Sequence, residues 1–182
     1  LRERAPRLRL AVHALVFAEA GERLGSGAFD LVVTAAGWAP PGLPSRLLCR
    51  ERYVLAMAAD HPLARRRRIG VRDFCAYDHV LVSPSGGAFA GPVDEMLAAR
   101  GHRRSVRLSV PSFALVPDLL AGTDLLSVLP ERLVAGRRDI RTCRPPIGPD
   151  PVEMVAVWHP RLDADPAHRW LRETLAETAS AV

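Results

Sequence analysis

Short apolar runs and alternating apolar and polar stretches recur along this chain, and each predicts a β-strand. The run at Leu31–Thr34 is suited to burial on both faces of a sheet. Leu8–Leu15 and Ser105–Val110 instead alternate, which indicates strands with one covered face. The other predicted strands are Tyr53–Ala58, His79–Ser83, Leu125–Leu129, Ile140–Cys143 and Val152–Trp158.

Helices are predicted between most of these strands from the residues that start and stop them. Pro92 at a first-turn position and Gly101 after the last turn mark a helix at Pro92–Arg100. Asp165 is predicted to cap the last helix of the chain. Further predicted helices are Phe17–Leu24, Ile69–Tyr77, Pro130–Val134 and a segment that follows Ser112 and ends near Ala121.

The alternation of strands and helices predicts an α/β fold with mostly parallel sheets. Two crossings, near Ala76 and near Asp150, divide the chain into two lobes. Residues 1–75 and 152–182 are predicted to form lobe I, and residues 76–151 to form lobe II. A chain that leaves a lobe and returns to it makes a two-strand hinge. Ligands of such sheets bind beyond the carboxyl ends of strands, which here means the cleft between the lobes.

Composition narrows the class of protein. The 182 residues are 48% hydrophobic and 25% charged, which fits a folded domain with a core. The net charge is +5, and all 25 basic residues are arginine, while lysine, asparagine and glutamine are absent. Such a uniform bias indicates a compositional habit more than a binding patch. Only Arg65–Arg68 is a dense basic cluster, and we interpret it as a solvated loop.

Several classes of site are disfavoured. Cys49, Cys75 and Cys143 are odd in number and far apart, which argues against a disulfide framework and a zinc site. The six histidines show no short metal-ligand spacing. No G-x-S-x-G, P-loop or H-E-x-x-H motif is present, so we predict neither an enzyme nor a cofactor. No apolar run is long enough to span a bilayer and the charged N-terminus lacks a signal-peptide pattern, which predicts a cytoplasmic protein.

Four motifs stand in order along the chain. They are Phe-Asp-Leu-Val-Val at 29–33, Asp-His-Pro-Leu-Ala at 60–64, Gly-Thr-Asp-Leu-Leu through Leu-Pro at 122–130, and Val-Trp-His-Pro at 157–160 followed by Asp-Pro-Ala-His-Arg-Trp-Leu-Arg at 165–172. Together they resemble the effector-binding domain of a LysR-type transcriptional regulator. The resemblance covers nearly the whole chain and favours the branch that includes the nodulation, naphthalene, salicylate and nitroaromatic regulators.

The resemblance implies a type 2 periplasmic-binding-protein fold of two Rossmann-like lobes around a ligand cleft. It also implies a cytoplasmic dimer or tetramer that binds DNA through an N-terminal winged helix-turn-helix, which this chain does not contain. By the same resemblance, the family's first strand would precede Leu1. The predicted function is inducer sensing, with a small aromatic effector in the cleft. The alternative is a free-standing solute-binding protein of the same fold.

Most of the candidate ligand-binding residues lie at or just after strand ends, and Met154 lies on the strand that returns to lobe I. Ala36 and Gly37 leave room for a ring or form a plain turn. Ser83, Ser85 and Gly86 belong to a loop that can hold a carboxylate or is an ordinary Gly/Ser loop. The remaining candidates are Ser112, Phe113, Met154 and His159.

Three of these four residues have an alternative role. By the resemblance, Ser112 lines the pocket, where related aromatic sensors often carry histidine. Phe113 can stack on a ligand or belong to the core. Met154 is more often core than lining, and His159 donates to an anion or caps a strand end. The family also pairs Phe17–Leu24 with Pro92–Arg100 of a second copy.

Overall fold

The computed structural model describes residues 3–84 and 87–180, which form eight strands and five α-helices. The strands are β1 Val32–Ala35, β2 Ser45–Glu51, β3 Tyr53–Ala58, β4 Asp78–Val82, β5 Ser105–Val110, β6 Ser127–Pro130, β7 Ile140–Cys143 and β8 Val152–Val157. The helices are α1 Ala20–Ser26, α2 Val71–Cys75, α3 Pro92–Ala98, α4 Val116–Leu120 and α5 Pro166–Ser180. Short 3₁₀ segments follow several strands, at Ala36–Trp38, Phe113–Leu115, Glu131–Val134 and Pro160–Leu162.

Most predicted elements are confirmed, and three strands, β3, β5 and β7, have the predicted bounds. One predicted strand is wrong, and one strand was missed. Leu8–Leu15 is not a strand, and β2 was not predicted. The alternating stretch has no neighbouring strand within the described residues, so its backbone groups lack ladder partners.

The strands form two sheets. The first has the order β1-β8-β2, and both pairs are antiparallel. In the second, β3 lies between β6 and β7 and runs antiparallel to both. Parallel β4 and β5 extend this sheet, because Leu126, next to β6, exchanges backbone hydrogen bonds with Asp78 and Val80 of β4 at 3.0 and 2.9 Å. The prediction of mostly parallel pairing is therefore wrong, since β3 and β8 run against both neighbours.

The chain passes from the first sheet to the second at Arg52, which is the one residue between β2 and β3. It returns through residues 144–151, which connect β7 to β8. The pairing of β3 with β6 and β7 differs from the predicted division, in which residues 53–75 belonged to lobe I.

Each sheet is covered by helices on both faces. In the first sheet, Val32 and Val157 pack against Leu24 of α1, while Leu48 and Ala156 pack against Ala176 of α5. In the second sheet, one face packs on α4 and the other on α2 and α3. The partners of α2 are Leu55 and Met57 of β3, which pack against Phe74. The core therefore also assigns β3 and α2 to the second sheet.

A buried polar cluster fixes α3 to the second sheet. The guanidinium of Arg104 donates two hydrogen bonds to Asp94, both at 2.8 Å, and the Arg104 side chain is only 2% exposed. Asp94 also accepts a hydrogen bond from the backbone of Gly91, which caps the helix. His79 is fully buried beside this pair, with Nε2 2.9 Å from the carbonyl oxygen of Phe74. Burial, more than the nearby charge of Arg104, lowers the pKa of His79 to about 4.

This shift predicts a loss of stability in mild acid. The folded protein keeps His79 neutral, whereas the unfolded chain takes up the proton below its ordinary pKa of about 6.5. The free energy of unfolding is therefore expected to fall as the pH drops from about 6.5 to about 4, by on the order of 3 kcal/mol. Urea denaturation across this range measures the loss. The variant His79→Gln, which cannot titrate, should lose less stability over the same range, and an equal loss in both proteins would contradict the assignment.

Candidate ligand site at the crossing between the sheets

The directions of the strands bring both sheets together at one place. In the first sheet β1 and β2 run the same way, so their carboxyl ends lie together with the start of β8. In the second sheet the carboxyl ends of β4, β5 and β6 lie together with the start of β3. Since Arg52 joins the end of β2 to the start of β3, both sets of strand ends meet there. We call this region the crossing edge.

The second sheet contributes aromatic rings and serine hydroxyls to the crossing edge. The backbone amide of Ser83 donates to the carbonyl oxygen of Val110 at 2.8 Å, which places the ends of β4 and β5 side by side. Ser112 follows two residues later, and its hydroxyl accepts a hydrogen bond from Ala114 at 3.2 Å. Phe113 packs edge-on against Tyr53, with ring centroids 6.1 Å apart. The structure thus brings three predicted residues together, and adds Tyr53, which the sequence identified only as part of a strand.

The first sheet contributes small residues and one methionine. Ala36 and Gly37 follow β1 directly and are exposed. A Cβ atom built on Gly37 would meet no heavy atom within 4 Å, so the space next to Gly37 is open. Met154, near the start of β8, lies opposite Ala35 on one side and Cys49 on the other. These predicted residues therefore share the crossing edge.

His159 does not belong to this group. It follows the carboxyl end of β8, which lies at the opposite edge because β8 runs against β1 and β2. Its Nδ1 atom accepts a hydrogen bond from the backbone of Arg161 at 3.2 Å and caps a short 3₁₀ segment. The capping alternative therefore describes His159. Two further candidates, Ser85 and Gly86, lie outside the described residues.

Three polar atoms near these strand ends are buried and have no hydrogen-bond partner among the described residues. They are Thr34 Oγ1 in β1, Ser109 Oγ in β5 and Glu51 Oε1 in β2. A buried polar group without a partner is costly, and a bound molecule is one way to satisfy it. Sequence reasoning missed all three, although a polar residue near the end of an apolar strand is a signal that would have identified Thr34 and Ser109.

Charged side chains surround Arg52 at the crossing edge. Arg52 pairs with Glu131 at 2.8 Å, and Arg132 lies 3.6 Å from Glu51, whose side chain is 12% exposed. Burial, followed by the charge of Glu51, raises the pKa of Tyr53, so its hydroxyl stays protonated and able to donate. A cavity of about 390 Å³ adjoins these residues and is lined by Arg50, Glu51, Arg52, Glu131, Arg132 and Ala135.

A larger cavity, of about 500 Å³, lies at the far end of β3 and is lined by Ala59, Asp60, His61, Pro62 and Arg65. His61 there has a structural role. Its Nδ1 atom accepts a hydrogen bond from the backbone of Leu63 at 3.0 Å, and its Nε2 atom lies 3.1 Å from the carbonyl oxygen of Asp124. This cavity includes none of the predicted ligand-binding residues.

Other kinds of site receive no support from residues 3–84 and 87–180. No three His, Cys, Asp or Glu side chains of these residues are grouped closely enough to hold a metal ion. Burial raises the pKa of the Cys75 and Cys143 thiols, which disfavours the thiolate form that binds metals. None of the helices in these ranges combines the length and the hydropathy required to cross a membrane.

Comparisons with known proteins identify the family of this chain. Residues 1–180 match the family model described as LysR substrate binding domain. The chain is 31% identical to the HTH-type transcriptional regulator SyrM of Rhizobium meliloti (strain 1021) over 99% of this chain and 56% of that protein. It is 34% identical to the HTH-type transcriptional activator NahR of Pseudomonas putida over 85% of this chain and 52% of that protein. The chain thus spans about half the length of the curated relatives it matches.

The same likeness is seen in a solved structure. The regulatory domain of MexT, a transcriptional activator in Pseudomonas aeruginosa, superposes with a TM-score of 0.77 at 28% identity, over 97% of this chain and 86% of that one. The predicted fold is confirmed, and the relatives are transcriptional regulators and not enzymes, as predicted. The chain belongs to the LysR substrate binding domain family.

Proposed function

We propose that this chain is the inducer-sensing domain of a bacterial transcription regulator and that a small aromatic acid binds at the crossing edge. The observation that carries the proposal is the convergence of strand ends from both sheets at Arg52. Ligands of α/β proteins bind beyond the carboxyl ends of strands. The residues proposed to face the ligand are Ala36, Gly37, Ser83, Ser112, Phe113 and Met154, together with Tyr53.

The chemistry of the crossing edge suits a ring that carries an acidic group. Phe113 and Tyr53 offer an aromatic surface on which a second ring can stack. The hydroxyls of Ser83 and Ser112 each accept one hydrogen bond from the backbone, at 3.4 and 3.2 Å, and their own O–H groups remain to donate to an anion. The open space before Gly37 gives room for the ring.

The proposed output is a change in the angle between the two sheets. A ligand that contacts both sheets favours the arrangement in which both sets of contacts form, and so shifts the population toward it. In the full-length regulator this change would reach the operator through a winged helix-turn-helix in the cytoplasm. That step belongs to the proposal and rests on the family to which the chain belongs.

Salicylate and related aromatic acids are expected to raise the Tm of the chain. A ligand that binds only the folded state at about 100 times its Kd stabilises that state by about 2.7 kcal/mol. For a chain of this size, that corresponds to a rise of roughly 5–10 °C. A thermal-shift screen of aromatic acids and phenols measures it, with cyclohexanecarboxylate as a control that has the charge but no aromatic ring. If no aromatic acid shifts the Tm, the aromatic assignment loses its support.

The substitution Phe113→Leu is expected to weaken binding of the best aromatic acid by about 2- to 10-fold. Leucine keeps apolar volume but removes the aromatic contact, which contributes about 0.5–1.5 kcal/mol. Titration calorimetry measures the Kd. The matched control is His159→Ala at the opposite edge, which removes a cap but should leave the Kd unchanged. A loss of affinity in the His159 variant with none in the Phe113 variant would place the ligand elsewhere.

We also propose that the chain self-associates through α1 of one copy and α3 of another. Substitution of the exposed Ala98 of α3 by arginine would place a bulky charge in that contact and is expected to shift the molecular mass toward the monomer. Light scattering at high protein concentration measures the mass. Ala90→Arg, which changes an exposed residue outside the helix, is the control. A monomeric parent chain would contradict the proposal.

A further inference from the structure

One short segment carries most of the net charge of the chain. Residues 59–73, which we call the arginine turn, contain five arginines, at 65–68 and 72, against two acidic residues, Asp60 and Asp73. The segment therefore has a net charge of +3, compared with +5 for all 182 residues. All five arginine side chains are exposed. Among them only Arg66 has an acidic partner within the described residues, Asp73 at 2.8 Å.

The arginine turn is anchored at both ends. Leu63 and Ile69, on either side of the four consecutive arginines, are 3% and 7% exposed and belong to the core between β3 and the helices. His61, also buried, accepts a hydrogen bond from the backbone of Leu63 and contacts the backbone of Asp124. The backbone that carries these four arginines is therefore held by the core on both sides, which adds to the solvated loop that the sequence indicated.

Many other arginines of the described residues are neutralised by a carboxylate. Examples are Arg50 with Glu153 at 2.9 Å, Arg52 with Glu131 at 2.8 Å and Arg107 with Asp78 at 3.1 Å. The arginine turn differs because four of its five arginines have no such partner within the described residues. A dense cationic surface of this kind raises the local concentration of an anionic partner and accelerates its association.

We propose that the arginine turn docks on the phosphate backbone of double-stranded DNA. The proposal goes beyond inducer sensing, since it assigns contact with nucleic acid to the effector-binding domain itself. Guanidinium groups bind phosphate oxygens with paired, charge-assisted hydrogen bonds. Contacts with phosphates alone carry no sequence information, so this surface adds affinity and orientation to DNA binding and no base specificity.

An anionic membrane is the competing partner, and the arginine turn suits it less well. Peripheral membrane surfaces combine basic residues with apolar side chains that enter the lipid. None of the exposed large apolar residues of the described chain lies within residues 59–73. The net positive charge of this surface, without an exposed large apolar side chain, therefore favours a phosphate backbone.

The test is the salt dependence of DNA binding by the 182-residue chain. Fluorescence anisotropy with a labelled duplex of arbitrary sequence gives the affinity from about 50 to 200 mM NaCl, and the slope of log affinity against log salt counts the phosphate contacts. For the triple variant R65S/R67S/R68S the slope is expected to fall in magnitude by about 3, because each phosphate contact contributes about 0.9. The double variant R67S/R68S should lose about 2.

The matched control removes the same charge elsewhere. Arg46, Arg103 and Arg144 are exposed and outside the arginine turn, so R46S/R103S/R144S should keep the slope of the parent chain. Equal slopes for the two triple variants, or no duplex binding by the parent chain at the lowest salt, would overturn the proposal. The proposal would also be overturned if R65S/R67S/R68S lost binding to phosphatidylserine vesicles, measured against phosphatidylcholine vesicles, while its salt slope on DNA stayed equal to that of the parent chain. An unchanged Tm verifies that the variants fold.

Discussion

The fold depends on two strands that each run against the other strands of their own sheet. β3 and β8 occupy internal positions and are hydrogen-bonded on both sides. Both are largely buried, including all of Val54–Ala58 and Val155–Val157. The chain enters β3 directly from the first sheet, and it enters β8 directly from the second sheet. Each sheet therefore depends on a strand that arrives from the other sheet. The same arrangement turns the carboxyl ends of the remaining strands toward Arg52 and creates the crossing edge.

The sequence predicts the existence of strands well but says little about their direction. The bounds of β3, β5 and β7 follow from local hydrophobic patterns and flanking residues, and the structure confirms them. An apolar run reads the same in either direction, however, and the order of strands in a sheet is a long-range property. This explains why the two candidate residues near the ends of β8 lie at opposite edges of the sheet. Met154 at its start lies in the candidate site, whereas His159 after its end does not.

Pairing partners explain the two local failures. Leu8, Leu10 and Val12 alternate as a strand would, yet they are 43%, 49% and 92% exposed and no ladder forms. β2 shows the reverse, since four of its seven residues are exposed and three are charged, yet it is a strand because β8 lies beside it. In the second sheet β4 separates β5 from β6, but within the described residues no strand lies next to the free edge of β1. A local pattern indicates a strand, but the strand forms only where a neighbouring strand lies beside it.

The single residue between β2 and β3 also sets the mechanics of the molecule. Consecutive Cα atoms are about 3.8 Å apart, so the end of β2 and the start of β3 can never separate by more than about 7 Å. The return connection, residues 144–151, is longer and allows more slack. The two sheets can therefore pivot about Arg52 but cannot slide apart there. A molecule bound at the crossing edge would lie close to this joint, and a rotation of one sheet against the other about Arg52 would displace the far ends of the strands most.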